Sequence, residues 1–530
     1  MCGIWAFLGN QNVDIAELEK YFNKMKHRGP DYSTIKQMGK YSYLGFHRLA
    51  IMDISSNGNQ PFEISPTISY VCNGEIYGHM KIREMYSDYP YNSGSDCESL
   101  APLILNDNLD YSLFGSEFAF ICIKNETLIA ARDPIGVRPL YIGINETSIC
   151  LSSEIKGIPK FDFEIMEFPP GHHLFYSTES GMTLTRYHNI IQLPIYDSLN
   201  IAQLKVKDLL IKSVTDRLMS DVPMGLLLSG GLDSSLVAAI SLTHSNTIRD
   251  VFTICFNEGS TDLIAAKKIF KYWKDNNMIS SNVQHHIIEL DFEDGLNEID
   301  DVIYYVETYD ITTVRASVLQ KLISKHISKN YPHIRVILCG DNADECMGGY
   351  LYNHSAKNIQ EFQEDRVKRV NEVHMYDGRR ADRCMSAHSI EIRLPYADVQ
   401  FVDYVMNLPS KYFIPKNENW ESIIEKKFIR DAFADSKLLP YDMLYRRKEA
   451  MSDGCSTTEK SWHNIVKGYF KDVEMKTYEH CPPISNESMY YRNKFEEYFG
   501  EDAAKVIPGY WMPSFITATD PSARTLEVYK

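Results

Sequence analysis

The 530-residue chain has no apolar run near the roughly 18 residues needed to cross a bilayer, no Cys-x-x-Cys pair, no internal repeat and no low-complexity stretch. Basic charge is scarce too: 55 Lys+Arg stand against 71 Asp+Glu, a net charge of −16. A surface this acidic repels phosphate backbones and anionic headgroups, so neither nucleic acid nor membrane is an expected partner. A local basic pocket for a small anion remains allowed. The start, Met1-Cys2-Gly3-Ile4, lacks the basic segment and small-residue cleavage site of a secretion signal. Eleven cysteines, an odd number at irregular spacing, then read as reduced thiols in a cytoplasmic setting. The Asn-x-Ser/Thr triplets at Asn125, Asn145, Asn353 and Asn486 are chance matches in that setting. What is present is enough apolar residue (44%) to bury a sizeable core, and enough length for two or three domains.

Residues 1 to about 185 are strand-rich, with short β-type runs at 2–7, 67–72, 118–123, 127–131 and 148–151 punctuated by turns such as Asp133-Pro134-Ile135-Gly136. Helices are expected near 15–25 and near 96–106, where Pro102 disturbs the middle of the second. An α+β domain on antiparallel sheets is predicted for 2–185, with 186–200 as a linker. From 201 to 530 the rhythm changes to strand–helix–strand: strands at 225–228, 251–256, 286–290 and 336–339, helices at 234–242 and 262–273. That order implies a parallel sheet, whose ligands sit beyond the carboxyl ends of the strands. The loops after Leu228, Phe256 and Cys339 therefore share one rim.

Ser229-Gly230-Gly231-Leu232-Asp233-Ser234-Ser235 follows an apolar strand and opens a helix. Two glycines let the backbone approach an anion, and the first helical amides carry partial positive charge toward it. A carboxylate here (Asp233) needs a metal ion between itself and a phosphate. The Gly-Lys-Ser/Thr ending of kinase-type phosphate loops is absent. The loop resembles the pyrophosphate loop of the ATP pyrophosphatases, which cleave ATP to AMP and pyrophosphate. A second loop on the same rim, Gly340-Asp341-Asn342-Ala343-Asp344-Glu345, crowds three carboxylates, which also calls for a cation.

Cys2 directly follows Met1. Removal of Met1 would leave a thiol beside its own α-amino group, an ordinary general base near pH 8. His27-Arg28-Gly29-Pro30-Asp31, His47-Arg48-Leu49-Ala50-Ile51, Asn73-Gly74-Glu75-Ile76-Tyr77 and Ser95-Asp96-Cys97-Glu98 follow in order. With these the N-terminal part resembles the class II glutamine amidotransferase domain, an N-terminal-nucleophile hydrolase. The whole chain, through Tyr510-Trp511-Met512-Pro513 and Asp520-Pro521-Ser522-Ala523-Arg524, resembles the glutamine-hydrolysing asparagine synthetase family. The resemblance implies an adenine nucleotide alpha hydrolase-like fold for the second domain. It implies glutamine, aspartate and ATP as substrates, Mg²⁺ as cofactor, and leaves a homodimer open.

Site roles follow from the resemblance. Cys2 would be the nucleophile, with Asn73 and Gly74 as oxyanion hole; Arg48, Glu75 and Asp96 would hold glutamine. Ser229, Gly230, Gly231, Asp233, Ser234 and Ser235 would grip the pyrophosphate, with Leu227, Ile254 and Gly340 as further ATP contacts. Asp233 and Asp344 would be metal ligands, Thr312, Thr313 and Arg315 a phosphate or aspartate contact, and Lys448 the cation that offsets charge as pyrophosphate leaves. Glu391-Ile392-Arg393-Leu394-Pro395-Tyr396 matches a structural segment.

The match frays in places. The family usually has Ser-Gly-Glu-Gly where this chain has Cys339-Gly340-Asp341-Asn342, with the glutamate taken as base toward ammonia. Asp341 pulls the carboxylate back by one methylene, roughly 1.5 Å, a misplacement able to cost about a hundredfold in rate. Val318-Leu319-Gln320 replaces the usual Thr-Pro-Met, Cys255 a usual Gly and Gly78 a usual Asn. A glutaminase with an impaired synthetase site is thus the alternative expectation. The related β-lactam-forming synthetases usually lack the cysteine, so Cys2 argues against them.

Overall fold

The computed structural model describes residues 1–115, 117–449, 454–457, 461–518 and 520–522. Ala523 and Arg524 of the C-terminal motif lie outside them. Two six-stranded sheets make up the N-terminal part. The first orders its strands Glu164–Glu167, Tyr141–Ile144, Ser148–Ser152, Gly3–Gly9, Ser42–Arg48 and Tyr32–Gly39. The second runs Gly181–Arg186, His172–Ser177, Thr127–Arg132, Glu117–Lys124, Ile68–Glu75 and Phe62–Ser65. All pairings are antiparallel.

Period-2 alternation explains why these strands read as unbroken apolar runs. Along Gly3–Gly9, Ile4, Ala6 and Leu8 join Val71, Ala119 and Ile121 between the sheets. Trp5 and Phe7 face the opposite way, onto Phe22 and Met25. Tyr70, Cys72, Phe118 and Phe120 likewise leave the inter-sheet layer for Leu100 and Leu103. Both sheets are covered on both faces. Pro102 is accommodated because Asp96–Leu100 is a 3₁₀ turn and the α-helix begins only at Ala101, placing proline in its first turn.

After Arg186 the next regular element is the helix Leu199–Asp216. The second part holds a five-stranded, all-parallel sheet ordered Gln284–Glu289, Asp250–Cys255, Met224–Leu227, Val336–Leu338, Glu391–Arg393. Leu236, Val237 and Ile240 of the helix Leu232–His244 pack into its core with Leu226, Ile337 and Leu338. Glu391–Arg393, matched only as a structural segment, is the fifth strand.

This edge strand also joins the two parts. Arg393 meets Glu75 at 3.1 Å, and Arg138 donates to the Ile392 carbonyl at 3.0 Å. Glu117 accepts from the Leu394 amide (3.0 Å), Arg138 (2.7 Å) and Arg217 (2.8 Å). Nearby, Arg28 reaches both Glu154 and Asp382 at 2.8 Å. All these side chains are buried. Among the described residues no disulfide links the cysteines, and no helix is long and apolar enough to cross a membrane.

Candidate active sites

Strand Gly3–Gly9 pairs with Ser42–Arg48 so that Gly3 faces His47, which sets Cys2 beside Arg48 and Leu49. The Cys2 Sγ lies 3.7 Å from the Leu49 carbonyl oxygen. Met1 is fully buried; burial lowers its amine to about 6 and raises the Cys2 thiol to about 11. With Met1 attached, the Cys2 nitrogen is an amide and offers no base. Arg48 is held by the loop that follows it: Nη1 donates to the Ser55 carbonyl (2.6 Å) and to Asn59 Oδ1 (2.7 Å), and Nη2 to the Asp53 carbonyl.

Asn73, Gly74 and Glu75 end one strand of the second sheet. Asn73 is buried, and neither Nδ2 nor Oδ1 has a partner among the described residues. Gly74 has φ +146°, and a Cβ there would fall 2.0 Å from the Glu117 carbonyl oxygen, so only glycine fits. Glu75 pairs with Arg393 through Oε1, and its Oε2 has no partner among the described residues. Burial pushes its carboxyl well above the usual range, helped by the nearby Asp96. Asp96 accepts from the Ile76 amide (2.7 Å), yet burial raises it too. Two acids close together, both raised by burial, regain their charged forms beside a substrate ammonium.

At the carboxyl rim of the parallel sheet lies an open cleft. Leu227, Ser229, Gly231, Asp233, Ser234, Thr312, Arg315, Gly340, Asp341, Asp344 and Lys448 line it. Gly340 permits the closest approach: a Cβ would sit 2.4 Å from the Ser234 amide nitrogen and 2.6 Å from the Asp233 carbonyl carbon. Asn342 is left-handed at φ +76° and donates to the Tyr396 carbonyl at 3.0 Å. Asparagine is among the residues that tolerate this conformation. Lys426 bridges Asp233 (2.5 Å) and Asp344 (2.6 Å), and Lys448 holds the other Asp344 oxygen. Burial alone would raise the Asp344 carboxyl, but the two ammoniums outweigh it and hold it far below the carboxylate range.

Other expected residues point elsewhere. Ser235 is fully buried, its hydroxyl donating to the Gly231 carbonyl one turn back (2.6 Å), and it does not line the cleft. Gly230 turns its carbonyl to Arg446 (3.1 Å). Thr313 bonds back to Asp310 (2.7 Å) at the start of the helix Ile311–Asn330. Ile254 packs between two apolar clusters. Arg315 reaches the cleft, but its guanidinium is spanned by Glu487 (2.6 and 2.8 Å) and Asp520 (2.9 and 3.0 Å). Sequence reasoning missed Lys426, Arg380 and Gln320, which belong to no glycine-marked loop. One signal was legible for Gln320: Thr312, Arg315, Ala316 and Gln320 all line the cleft at the spacing of a single helix face.

A glutamine amidotransferase domain model matches residues 1–207, and an asparagine synthase model matches 205–369 and 355–511. A probable glutamine-hydrolysing asparagine synthetase of Acanthamoeba polyphaga mimivirus is 36% identical over 569 aligned positions, covering all of both chains. The chain belongs to the glutamine-hydrolysing asparagine synthetase family. The asparagine synthetase of Cricetulus griseus is 35% identical, covering all of this chain and 99% of its own. Asparagine synthetase 3 of Arabidopsis thaliana is also 35% identical, over 96% of this chain and 89% of its own. The family's two parts thus coincide with the paired antiparallel sheets and the parallel sheet described above.

Proposed function

We infer that this chain makes L-asparagine from L-aspartate and ATP, using ammonia released from L-glutamine, and yields glutamate, AMP and pyrophosphate. The observation that carries the reading is the pairing, in one chain, of a cysteine beside a clamped arginine with a cation-lined cleft at a parallel-sheet rim. A buried edge strand joins the two sites. Cys2, freed of Met1, attacks the glutamine carboxamide while its α-amine takes the thiol proton. Asn73 Nδ2 and the Gly74 N–H receive the developing oxyanion. Arg48 holds the substrate carboxylate, and Glu75 with Asp96 the ammonium.

In the cleft, Ser229, Gly231 and Ser234 bind the pyrophosphate portion of ATP. The aspartate side-chain carboxylate attacks the α-phosphorus, pyrophosphate leaves, and Lys448 balances the departing charge. The donor set leaves room for Mg²⁺ at Asp233 Oδ1, which has no partner among the described residues; Asp233 Oδ2 and both Asp344 oxygens are held by Lys426 and Lys448, and the ion ordinarily fills its shell with phosphate oxygens and water. Asp233 and Asp344 would hold it, and it supplies neutralisation of phosphate charge. Ammonia then displaces AMP from the β-aspartyl adenylate. With amide-¹⁵N glutamine, aspartate and Mg-ATP, the label is expected in the asparagine side-chain amide. Glutamine hydrolysis without labelled asparagine would overturn the reading.

A further inference from the structure

Gln320 stands where the family usually carries an apolar methionine, and its side chain is 2% exposed. It lines the cleft together with Asp341. Its Nε2 donates to Asp341 Oδ2 at 3.3 Å, while Arg380 meets Asp341 Oδ1 at 3.2 Å. A carboxylate only accepts hydrogen bonds, so it fixes which end of the amide faces it. Oε1 is thereby turned away, buried, and without a partner among the described residues. A buried acceptor left unpaired is costly unless a ligand satisfies it.

We propose that Gln320 is an ammonia-binding residue: its Oε1 accepts one N–H of the incoming ammonia while Asp341, steadied by Gln320 and Arg380, accepts another. This rests on the synthetase reading above and deepens it. Ammonia has three donors and one lone pair. Two adjacent acceptors engage N–H groups and leave the lone pair aimed away from them, at the β-carbonyl carbon of the adenylate. As the C–N bond forms, the C–O bond to AMP breaks, its electron pair leaving with AMP. The proton lost from nitrogen passes to Asp341. The second acceptor offsets the shorter reach of aspartate relative to glutamate.

The test uses the full-length enzyme with ammonium chloride in place of glutamine, following AMP, pyrophosphate and asparagine. Wild type must first form asparagine; if it does not, the synthetase reading itself fails. Given that it does, Gln320→Met is expected to raise the KM for ammonium about five- to tenfold. The KM values for ATP and aspartate stay unchanged, and pyrophosphate formed per asparagine rises above one as water takes the adenylate. Adding Asp341→Glu to Gln320→Met, which restores the usual pair, is expected to recover most of the ammonium KM. An unchanged ammonium KM and product ratio in Gln320→Met would overturn the proposal, as would an equal loss across all three substrates. Should Gln320→Met not fold, Gln320→Leu is read by the same criteria.

Discussion

The Glu117 carboxylate has no assigned role in either substrate site. It is fully buried and serves three donors at once: Arg138 (2.7 Å), Arg217 (2.8 Å) and the Leu394 amide (3.0 Å). Glu117→Gln keeps the shape and deletes the charge. The next acids available to Arg138 are Asp382 at 4.0 Å and Glu391 at 3.9 Å, whereas Arg217 keeps Asp398 at 3.2 Å. Arg138 is therefore the group left undercompensated in a buried setting. Removing one partner of such a pair costs about 3–5 kcal/mol. At about 2–4 °C per kcal/mol for a domain of 150–250 residues, even the lower bound lowers the melting temperature by roughly 6–12 °C. Because these bonds tie a glutaminase strand to the edge strand of the synthetase sheet, coupling should suffer as well, with glutamate formed in excess of asparagine. Scanning calorimetry and a glutamate-to-asparagine ratio read both effects. Lys271–Asp275, an exposed pair at 2.8 Å, is the control; Asp275→Asn should cost at most about 1 kcal/mol. A Glu117→Gln enzyme melting within about 3 °C of wild type and still fully coupled would refute this account of the interface.

Three further outcomes follow from the same geometry. A chain that retains Met1, with a buried amine and a thiol raised to about 11, should lose glutamine-dependent synthesis yet keep ammonia-dependent synthesis; equal glutamine rates with and without Met1 would exclude the free-amine mechanism. Gly340→Ala drives a Cβ into the backbone at Asp233 and Ser234, so pyrophosphate formation should fall at least a hundredfold while glutaminase activity survives; near-normal ATP turnover would contradict the packing. Burial holds Glu75 and Asp96 above their ordinary values, and a substrate ammonium favours their charged forms. Glutamine binding should therefore release protons and weaken as pH falls; calorimetry of a Cys2→Ala enzyme in two buffers of different ionisation enthalpy, showing no proton release, would count against the assignment.

Gly3–Gly9 and Glu117–Lys124, covered on both faces, were legible because apolar residues fill them; the equally buried Ser42–Arg48 was not, because Ser42, Gly45, His47 and Arg48 break its apolar run, nor was the four-residue Tyr141–Ile144. Tyr32–Gly39 and Gly181–Arg186 were not read as strands. They lie at sheet edges with none of their residues buried, and their polar composition mimics loops. Glycine-marked loops located the rim of the cleft, since close backbone approach demands that residue at Gly340. The inward turn of Ser235 and Thr313 was invisible for a physical reason: a hydroxyl in the first turn of a helix can serve its own backbone or a ligand, and sequence does not distinguish these. Lys426 was missed because its partners, Asp233 and Asp344, are 193 and 82 positions away.

The most direct test of the central claim is the stoichiometry of Met1-processed enzyme supplied with glutamine, aspartate and Mg-ATP. Glutamate, AMP, pyrophosphate and asparagine are expected in equal amounts, which would also show that Asp341 suffices where the family usually has glutamate. Glutamate accumulating with neither AMP nor asparagine would contradict it.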